Sequence, residues 1–114
     1  MASDCIFCRI ATGEIPAEIV FSDDRVVAFR DTNPQAPTHV LVIPRQHVAS
    51  AGELAPDHAA LLIRLFAAMG EIAVGEGLGS GYRIVTNVGP DAGQTVQHLH
   101  FHLLGGRTLD WPPG

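Results

Sequence analysis

Three histidines alternate with single apolar residues near the C-terminus of the 114-residue chain, in the segment His98-Leu99-His100-Phe101-His102. Side chains of an extended strand point alternately to its two faces, so this spacing predicts three imidazoles in a row with apolar side chains behind them. Imidazole can act as base, acid or nucleophile near neutral pH, and burying it without partners is costly. The triplet is therefore a candidate active site, although His-x-His also occurs among zinc ligands and single histidines are often structural.

A second pattern that could do chemistry is Cys5-Ile6-Phe7-Cys8, which contains the chain's only two cysteines. In a reducing cytosol such a pair is typical of half a metal site or of a redox motif rather than of a structural disulfide. A thioredoxin-like redox motif follows a strand in a βαβ unit, and no such unit is visible in this sequence. Two reduced, partly buried thiols without a metal are the remaining alternative.

The elements that position these residues follow from the rest of the sequence. A short helical turn is predicted at 9–13, strands at 18–21, 26–29 and 39–43, and two later strands at 82–87 and 95–104. Apolar residues at three- and four-residue steps predict an amphipathic helix from Pro56 to about Glu76. Short connections around one long helix favour an α+β fold in a single domain, residues 1–114, with a five-stranded antiparallel sheet.

Composition narrows the classes of partner. The hydrophobic fraction of 46% suits a globular core, and the net charge of −5 argues against broad binding of nucleic-acid polymers. We expect no signal peptide and no apolar run of about 18 residues that could span a membrane, and hence a soluble, cytoplasmic protein without a membrane partner. The short chain and the non-helical tail Trp111-Pro112-Pro113-Gly114, whose aromatic residue needs a surface to pack on, are compatible with a partner subunit.

The sequence resembles the histidine triad (HIT) superfamily, and within it the HINT branch of nucleoside phosphoramidases. The resemblance covers essentially the whole chain. It rests on the triplet together with an ordered set of segments: Glu14-Ile15-Pro16-Ala17, Asp31, Pro34-Gln35-Ala36-Pro37-Thr38-His39, Val42-Ile43-Pro44, Gly81-Tyr82-Arg83, Gly93-Gln94, Gly105-Gly106-Arg107 and Trp111-Pro112-Pro113-Gly114.

The resemblance implies a homodimer whose two sheets join into one, with a nucleotide pocket in each subunit, and a two-step reaction. His100 is similar to the nucleophile that attacks the α-phosphorus of a nucleoside 5′-phosphoramidate or aminoacyl adenylate, giving a nucleotidyl-histidine that water then releases as nucleoside monophosphate. His102 would offset charge on a phosphate oxygen, and the backbone carbonyl of His98 would fix the tautomer of the nucleophile. Gln94 and Thr95 would contact the phosphate and the leaving group.

The nucleotide pocket implied by the resemblance is centred on Asp31, whose carboxylate would accept hydrogen bonds from the ribose hydroxyls. The other positions are apolar contacts to the purine, a base-side residue, a phosphate-side or ribose-side amide and a supporting histidine: Phe7, Ile10, Phe29, Thr32, Asn87 and His39. Without the resemblance, each of these has an ordinary alternative as a turn former, a core residue or a polar residue at a strand end.

Branches of the superfamily that keep the cysteine pair bind a structural zinc ion. The corresponding ligands in this chain are Cys5, Cys8, His47 and His98, and two thiolates with two imidazoles make a closed tetrahedral set. The resemblance thus implies structural Zn²⁺ and no catalytic cofactor.

Three other functions stay open from the sequence. The chain could be a nucleotide-binding regulatory protein with incidental hydrolysis, a dinucleotide polyphosphate hydrolase that uses the same triad, or a metallohydrolase whose three histidines hold one metal. The complete triad favours an enzyme, because binding alone needs no nucleophile at its centre. Gly93-Gln94-Thr95 and the tryptophan-containing tail favour the phosphoramidase branch.

Overall fold

Five strands form one antiparallel sheet in the computed structural model, which describes residues 4–114. The strands are β1 (Ile19–Ser22), β2 (Val26–Arg30), β3 (Thr38–Pro44), β4 (Tyr82–Val85) and β5 (Phe101–Gly105), in the spatial order β1-β2-β3-β5-β4. A short helix, α1 (Ile6–Ala11), precedes the sheet, and a long helix, α2 (Ala59–Gly75), lies between β3 and β4 in the chain. These elements confirm the α+β class, the five-stranded antiparallel sheet and both helices.

Helices cover the two faces of the sheet, which is why β2 and β3 are buried almost throughout. On one face, α2 packs on alternate strand residues that include Val40, Val42, Leu99, Phe101 and Leu103. On the other face, Phe7 of α1 packs on the residues between them: Val27, Phe29, Leu41 and Ile43. The apolar residues of the triplet segment therefore belong to the α2 core, as the sequence predicts, and the imidazoles lie on the α1 side.

Helix α2 and the turn before it form one long apolar segment. The 20-residue stretch Pro56–Gly75 has a mean hydropathy of 1.5 and could cross a membrane by length and composition, contrary to the expectation that no such run exists. Its apolar side chains at helical spacing, among them Leu61, Leu65 and Met69, are buried against the sheet. This burial identifies α2 as the core helix of a globular fold.

Strand β5 begins at Phe101 and not at Thr95, so the predicted strand 95–104 is wrong in its first part. In the register of β3 with β5, Val42 faces Phe101, and continuing it would place Pro44 opposite Leu99. Proline has no N–H to donate to a ladder. The amide of Leu99 donates instead to the carbonyl of Val48, at 2.6 Å, and the chain leaves the sheet there.

Two other boundaries differ from the prediction. Helix α1 begins at Ile6, ahead of the predicted turn at 9–13, and Cys5 caps it by accepting the amide hydrogen of Cys8 at Sγ, at 3.4 Å. Strand β4 ends at Val85, short of 87. Just beyond its end, the hydroxyl of Thr86 donates to the carbonyl of His100 at 2.8 Å, so β4 still braces the triplet.

An ion pair ties the end of β2 to the end of α2. The Arg30 guanidinium donates to both carboxylate oxygens of Glu76, at 2.9 and 3.0 Å. This pairing lowers the pKa of Glu76 and raises that of Arg30, because each charge favours the other. It holds the end of β2 from which the chain continues to Asp31.

Candidate functional site

His100 is held in one orientation by its own neighbourhood. Its Nδ1 atom lies 2.6 Å from the carbonyl oxygen of His98, and a carbonyl can only accept, so Nδ1 carries the hydrogen. The Phe7 ring meets the His100 ring edge to face, with centroids 5.1 Å apart and an angle of 88°. In the neutral ring the lone pair is then left on Nε2, the arrangement required of a nucleophilic imidazole.

A chain of hydrogen bonds fixes the tautomer of His102 as well. The backbone N–H of Gln35 donates to Nδ1 of His39 at 3.0 Å, so the neutral His39 ring carries its hydrogen on Nε2. That Nε2 lies 2.9 Å from Nδ1 of His102 and donates to it. The hydrogen of neutral His102 must therefore be on Nε2, where the ring can donate to an anionic group.

Burial keeps the His39 and His102 rings neutral. It lowers the pKa of His39, against the opposing pull of the Asp31 carboxylate. Burial, reinforced by the proximity of the His100 and His39 rings, lowers the pKa of His102 to about 4. At neutral pH His102 is consequently a neutral hydrogen-bond donor and not an imidazolium.

Asp31 lies beside His39, with one carboxylate oxygen toward its own loop and the other toward the His39 ring. Its Oδ1 accepts the backbone N–H of Asn33 at 2.8 Å, and its Oδ2 is 3.5 Å from Nε2 of His39. A carboxylate has about four acceptor positions, so hydroxyl groups can still bind. Asp31, His39 and His102 are close enough to suggest a metal site, but the Nε2 atom of His39 already carries the hydrogen in the neutral ring. The hydrogen bonds account for this cluster without a metal.

Aromatic and aliphatic side chains form an apolar wall beside His100. The rings of Phe7 and Phe29 are 5.4 Å apart at 71°, and Ile10 packs against the same cluster. The three predicted purine contacts therefore lie together and on the imidazole side of the sheet. Phe7 and Phe29 are buried, and Ile10 is the partly exposed member of this wall.

The four predicted metal ligands converge on one point. Nδ1 of His98 is 3.4 Å from Sγ of Cys5 and 3.5 Å from Sγ of Cys8, and Nδ1 of His47 is 3.4 Å from Sγ of Cys8. For zinc bonds of about 2.3 Å to sulfur and about 2.0 Å to nitrogen at tetrahedral angles, sulfur and nitrogen are about 3.5 Å apart. The measured separations fit that geometry.

The protonation of this Cys₂His₂ cluster (Cys5, Cys8, His47 and His98) also suits a metal. His98 directs Nε2 to the carbonyl of Pro44 at 2.8 Å, which places its hydrogen there and leaves the Nδ1 lone pair facing the thiols. Burial lowers the pKa of His98 and so favours the neutral ring that a metal needs. Burial and the adjacent Cys5 raise the pKa of Cys8 to about 11, so a bound cation is what would make these thiols thiolates.

Four predicted site residues have their contacts outside the histidine group. The side chain of Gln94 is buried and accepts from the amide of Gly89 at 2.9 Å while donating to the carbonyls of Ala49 and Val96 at 2.8 and 3.0 Å. Thr95 is exposed and lines a cavity together with Cys5 and His47. The side chain of Asn87 donates to the carbonyl of Ala92, and Thr32 is exposed next to Asp31 in the chain.

Sequence reasoning missed the groups that orient the histidines. Two of them are backbone atoms, the N–H of Gln35 and the carbonyl of Pro44, and no side-chain pattern signals them. The third is the hydroxyl of Thr86. Its polar side chain at the end of an otherwise apolar strand segment, Ile84-Val85, was the available signal.

The fold and the site together define a class of protein: an α+β protein with a histidine triad whose central ring presents Nε2 from the sheet face covered by α1. A protein-family model described as "HIT domain" matches residues 12–109. The chain belongs to the HIT domain family.

Relatives match along almost the full length. A HIT-like protein of Synechococcus elongatus, named as uncharacterized, is 56% identical over 114 residues and covers 100% of both chains. A "14 kDa zinc-binding protein" of Zea mays is 46% identical, covering 98% of this chain and 89% of its own. The crystal structure of a HIT family hydrolase from Legionella pneumophila superposes with a TM-score of 0.95 at 50% identity, covering 96% of this chain and 99% of that one.

Proposed function

We propose that this chain is a nucleotide-binding hydrolase that cleaves nucleoside 5′-phosphoramidates or aminoacyl adenylates through a nucleotidyl-His100 intermediate. The observation that carries the proposal is the 2.6 Å contact between Nδ1 of His100 and the His98 carbonyl, which leaves Nε2 as the nucleophilic atom. The name of the Legionella pneumophila relative, a hydrolase, supports the same kind of reaction.

In the first step, the Nε2 lone pair of His100 forms a bond to the α-phosphorus. The bond from phosphorus to the amine nitrogen or acyl oxygen breaks, and the leaving group departs as an amine, after taking a proton from solvent, or as a carboxylate. In the second step, water attacks the phosphorus, its proton goes to solvent, and the P–N bond to His100 breaks to release nucleoside monophosphate. The Nε2–H of His102 donates to a nonbridging oxygen and offsets the charge that builds up there.

The residues around the triad would hold the nucleotide. Asp31 accepts hydrogen bonds from the ribose hydroxyls, and the base packs on the apolar wall of Phe7, Ile10 and Phe29, which suits a purine. Thr32 lies on the base side and Asn87 on the phosphate or ribose side. The hydroxyl of Thr95 lies on the leaving-group side, whereas Gln94, whose side chain is engaged with backbone groups, shapes the loop that precedes the triad.

The Cys₂His₂ cluster would hold zinc with Cys5, Cys8, His47 and His98 as ligands. When bound, the ion supplies a cross-link between helix α1, the segment after β3 and the triad segment, which is the role of a closed four-ligand site. The Zea mays relative named as a zinc-binding protein supports this assignment. The reaction proposed above uses only side-chain and solvent groups.

A second copy of this chain is the proposed partner. Within residues 4–114, strand β4 pairs with β5 on one side only and forms an edge of the sheet, where another strand can pair. Tyr82 on that strand is 43% exposed and Trp111 in the tail is 83% exposed. We propose a cytoplasmic homodimer of one HIT domain per chain with its sheets joined at β4, and sedimentation equilibrium should give twice the 12.1 kDa chain mass.

The function is tested with adenosine 5′-phosphoramidate. The wild type should release AMP, and intact-mass measurement after rapid quenching should detect a chain that carries one adenylyl group. His100→Asn should bind the nucleotide, keep its fold by circular dichroism and form neither product nor adduct. His58→Asn, a change in the turn before α2, is the matched control and should turn over normally.

Two results would overturn the proposal. Undiminished turnover by His100→Asn would remove the nucleophile. Nucleotide binding by the wild type without any turnover of phosphoramidates or acyl adenylates would favour a regulatory binding protein instead.

A further inference from the structure

His98 belongs to two networks at once. Its side chain contributes Nδ1 to the Cys₂His₂ cluster, 3.4 Å from Sγ of Cys5. Its backbone carbonyl accepts the Nδ1 hydrogen of His100 at 2.6 Å. One residue thus connects the metal cluster to the atom that sets the tautomer of the proposed nucleophile.

We propose that metal held by the Cys₂His₂ cluster positions the His98 carbonyl and thereby keeps His100 in the tautomer with hydrogen on Nδ1, so that the cluster tunes the nucleophile as well as the fold. The kinetic part of this inference rests on the proposed function. The structural part, which concerns the tautomer of His100, does not.

The His98 peptide is fixed from two directions, and both lead to the cluster. The His98 ring is held between the thiols at Nδ1 and the Pro44 carbonyl at Nε2, 2.8 Å away. The next amide, that of Leu99, donates to the carbonyl of Val48 at 2.6 Å, and Val48 follows the ligand His47. A metal that joins His47 to His98 therefore fixes both the side chain of His98 and the backbone just after it.

The ribose side of the proposed pocket is separable from the metal-dependent part of the site. The loop that carries Asp31 follows Arg30, which is paired with Glu76, and these contacts do not involve the ligands of the cluster. Phe7, in contrast, lies on α1 between the ligands Cys5 and Cys8. Loss of the metal should therefore lower kcat about 10- to 100-fold, the scale of a misplacement of about 1 Å, while the contact of Asp31 with the ribose is kept.

The primary test is NMR of protein labelled with ¹⁵N in its histidine rings, at about pH 8, where the neutral imidazole predominates. Zinc-loaded protein should show His100 as a single tautomer with hydrogen on Nδ1. Protein stripped with a chelator, and the His47→Asn variant, should show a mixture of the two tautomers together with the lowered kcat. His58→Asn serves as the control for removal of a histidine outside the cluster.

Folded, metal-free protein with an unchanged His100 tautomer and an unchanged kcat would overturn the inference. Should stripping unfold the chain, exchange of zinc for cadmium, which makes longer bonds to sulfur, replaces it. The inference expects the His100 ring signals to shift on exchange, and movement confined to the His47 and His98 signals would overturn it. Because the NMR measurement needs no substrate, absence of turnover in the wild type would count against the proposed function alone.

Discussion

Nε2 of His39 lies 2.9 Å from Nδ1 of His102, and the backbone N–H of Gln35 bonds to the far nitrogen of His39. A main-chain amide thus dictates, through two rings, which nitrogen of His102 carries hydrogen. The position of this hydrogen matters because His102 can donate to a phosphate oxygen through Nε2 only when Nε2 carries it.

Breaking this chain of hydrogen bonds should impair the chemical step more than binding. His39→Phe keeps an aromatic ring but has no nitrogen to donate to His102, so both tautomers of His102 become accessible. We expect kcat for adenosine 5′-phosphoramidate to fall about 10- to 100-fold with little change in KM. His39→Gln, whose amide can still donate, should recover part of the loss, and equal kcat values for wild type and His39→Phe would contradict the assignment.

The ribose contact proposed for Asp31 can be isolated by changing the substrate. Removing the 2′-hydroxyl from the phosphoramidate should lower kcat/KM of the wild type about tenfold or more, because hydrogen bonds to a charged group are worth about 1.5 to 3 kcal/mol. Asp31→Asn should discriminate much less between the two substrates. Equal discrimination by both proteins would place the ribose elsewhere.

Stability should depend on pH through His102. Its pKa is about 4 in the folded protein against an ordinary 6.5, so between these values the unfolded chain binds more protons and stability falls as pH falls. At about 1.4 kcal/mol per pKa unit, the loss attributable to this ring is about 3 kcal/mol. Urea denaturation of zinc-loaded wild type and His102→Gln from pH 7 to pH 4 measures it. The variant should lose less stability on acidification, and parallel curves would refute the prediction.

Gln94 should act through the loop it braces. Its amide nitrogen donates to two carbonyls, those of Ala49 and Val96, and a carboxylate in its place would face both of them without a hydrogen to offer. We expect Gln94→Glu to destabilise the protein by about 1 to 3 kcal/mol, the cost of leaving buried polar groups unpaired, and to lower kcat. Gln94→Met, which removes the amide without adding charge, is the comparison. A free energy of unfolding of Gln94→Glu equal to that of the wild type would contradict this structural role of Gln94.

Much of the architecture could be predicted from patterning. Short apolar runs bounded by turn residues, such as Val40 to Ile43, identified the strands, and the spacing of Leu61, Leu65 and Met69 identified the long helix, because burial follows the strand and helix periods. The convergence of Cys5 and Cys8 with His47 and His98 came from the family resemblance. No local pattern could have brought together residues that lie 93 positions apart.

The parts that sequence could not supply depend on backbone atoms. A prediction from alternation extends the last strand back to Thr95, since nothing in the side-chain pattern marks where the ladder stops. The stop is set by Pro44 on the neighbouring strand. The tautomers depend likewise on the Gln35 amide and the His98 carbonyl, and every residue type offers those groups.

The residues before Phe101 lie outside the sheet, and a substitution that brought them into it would affect the site. Replacing Pro44 with a residue that can donate would allow the β3–β5 ladder to extend past Phe101 to Leu99. Growth of the ladder would draw the Leu99 amide away from the Val48 carbonyl, and so displace the adjoining His98 carbonyl that now receives the hydrogen of His100. In this protein the late start of β5 leaves the main-chain carbonyl of His98 available to a side chain instead of to a neighbouring strand.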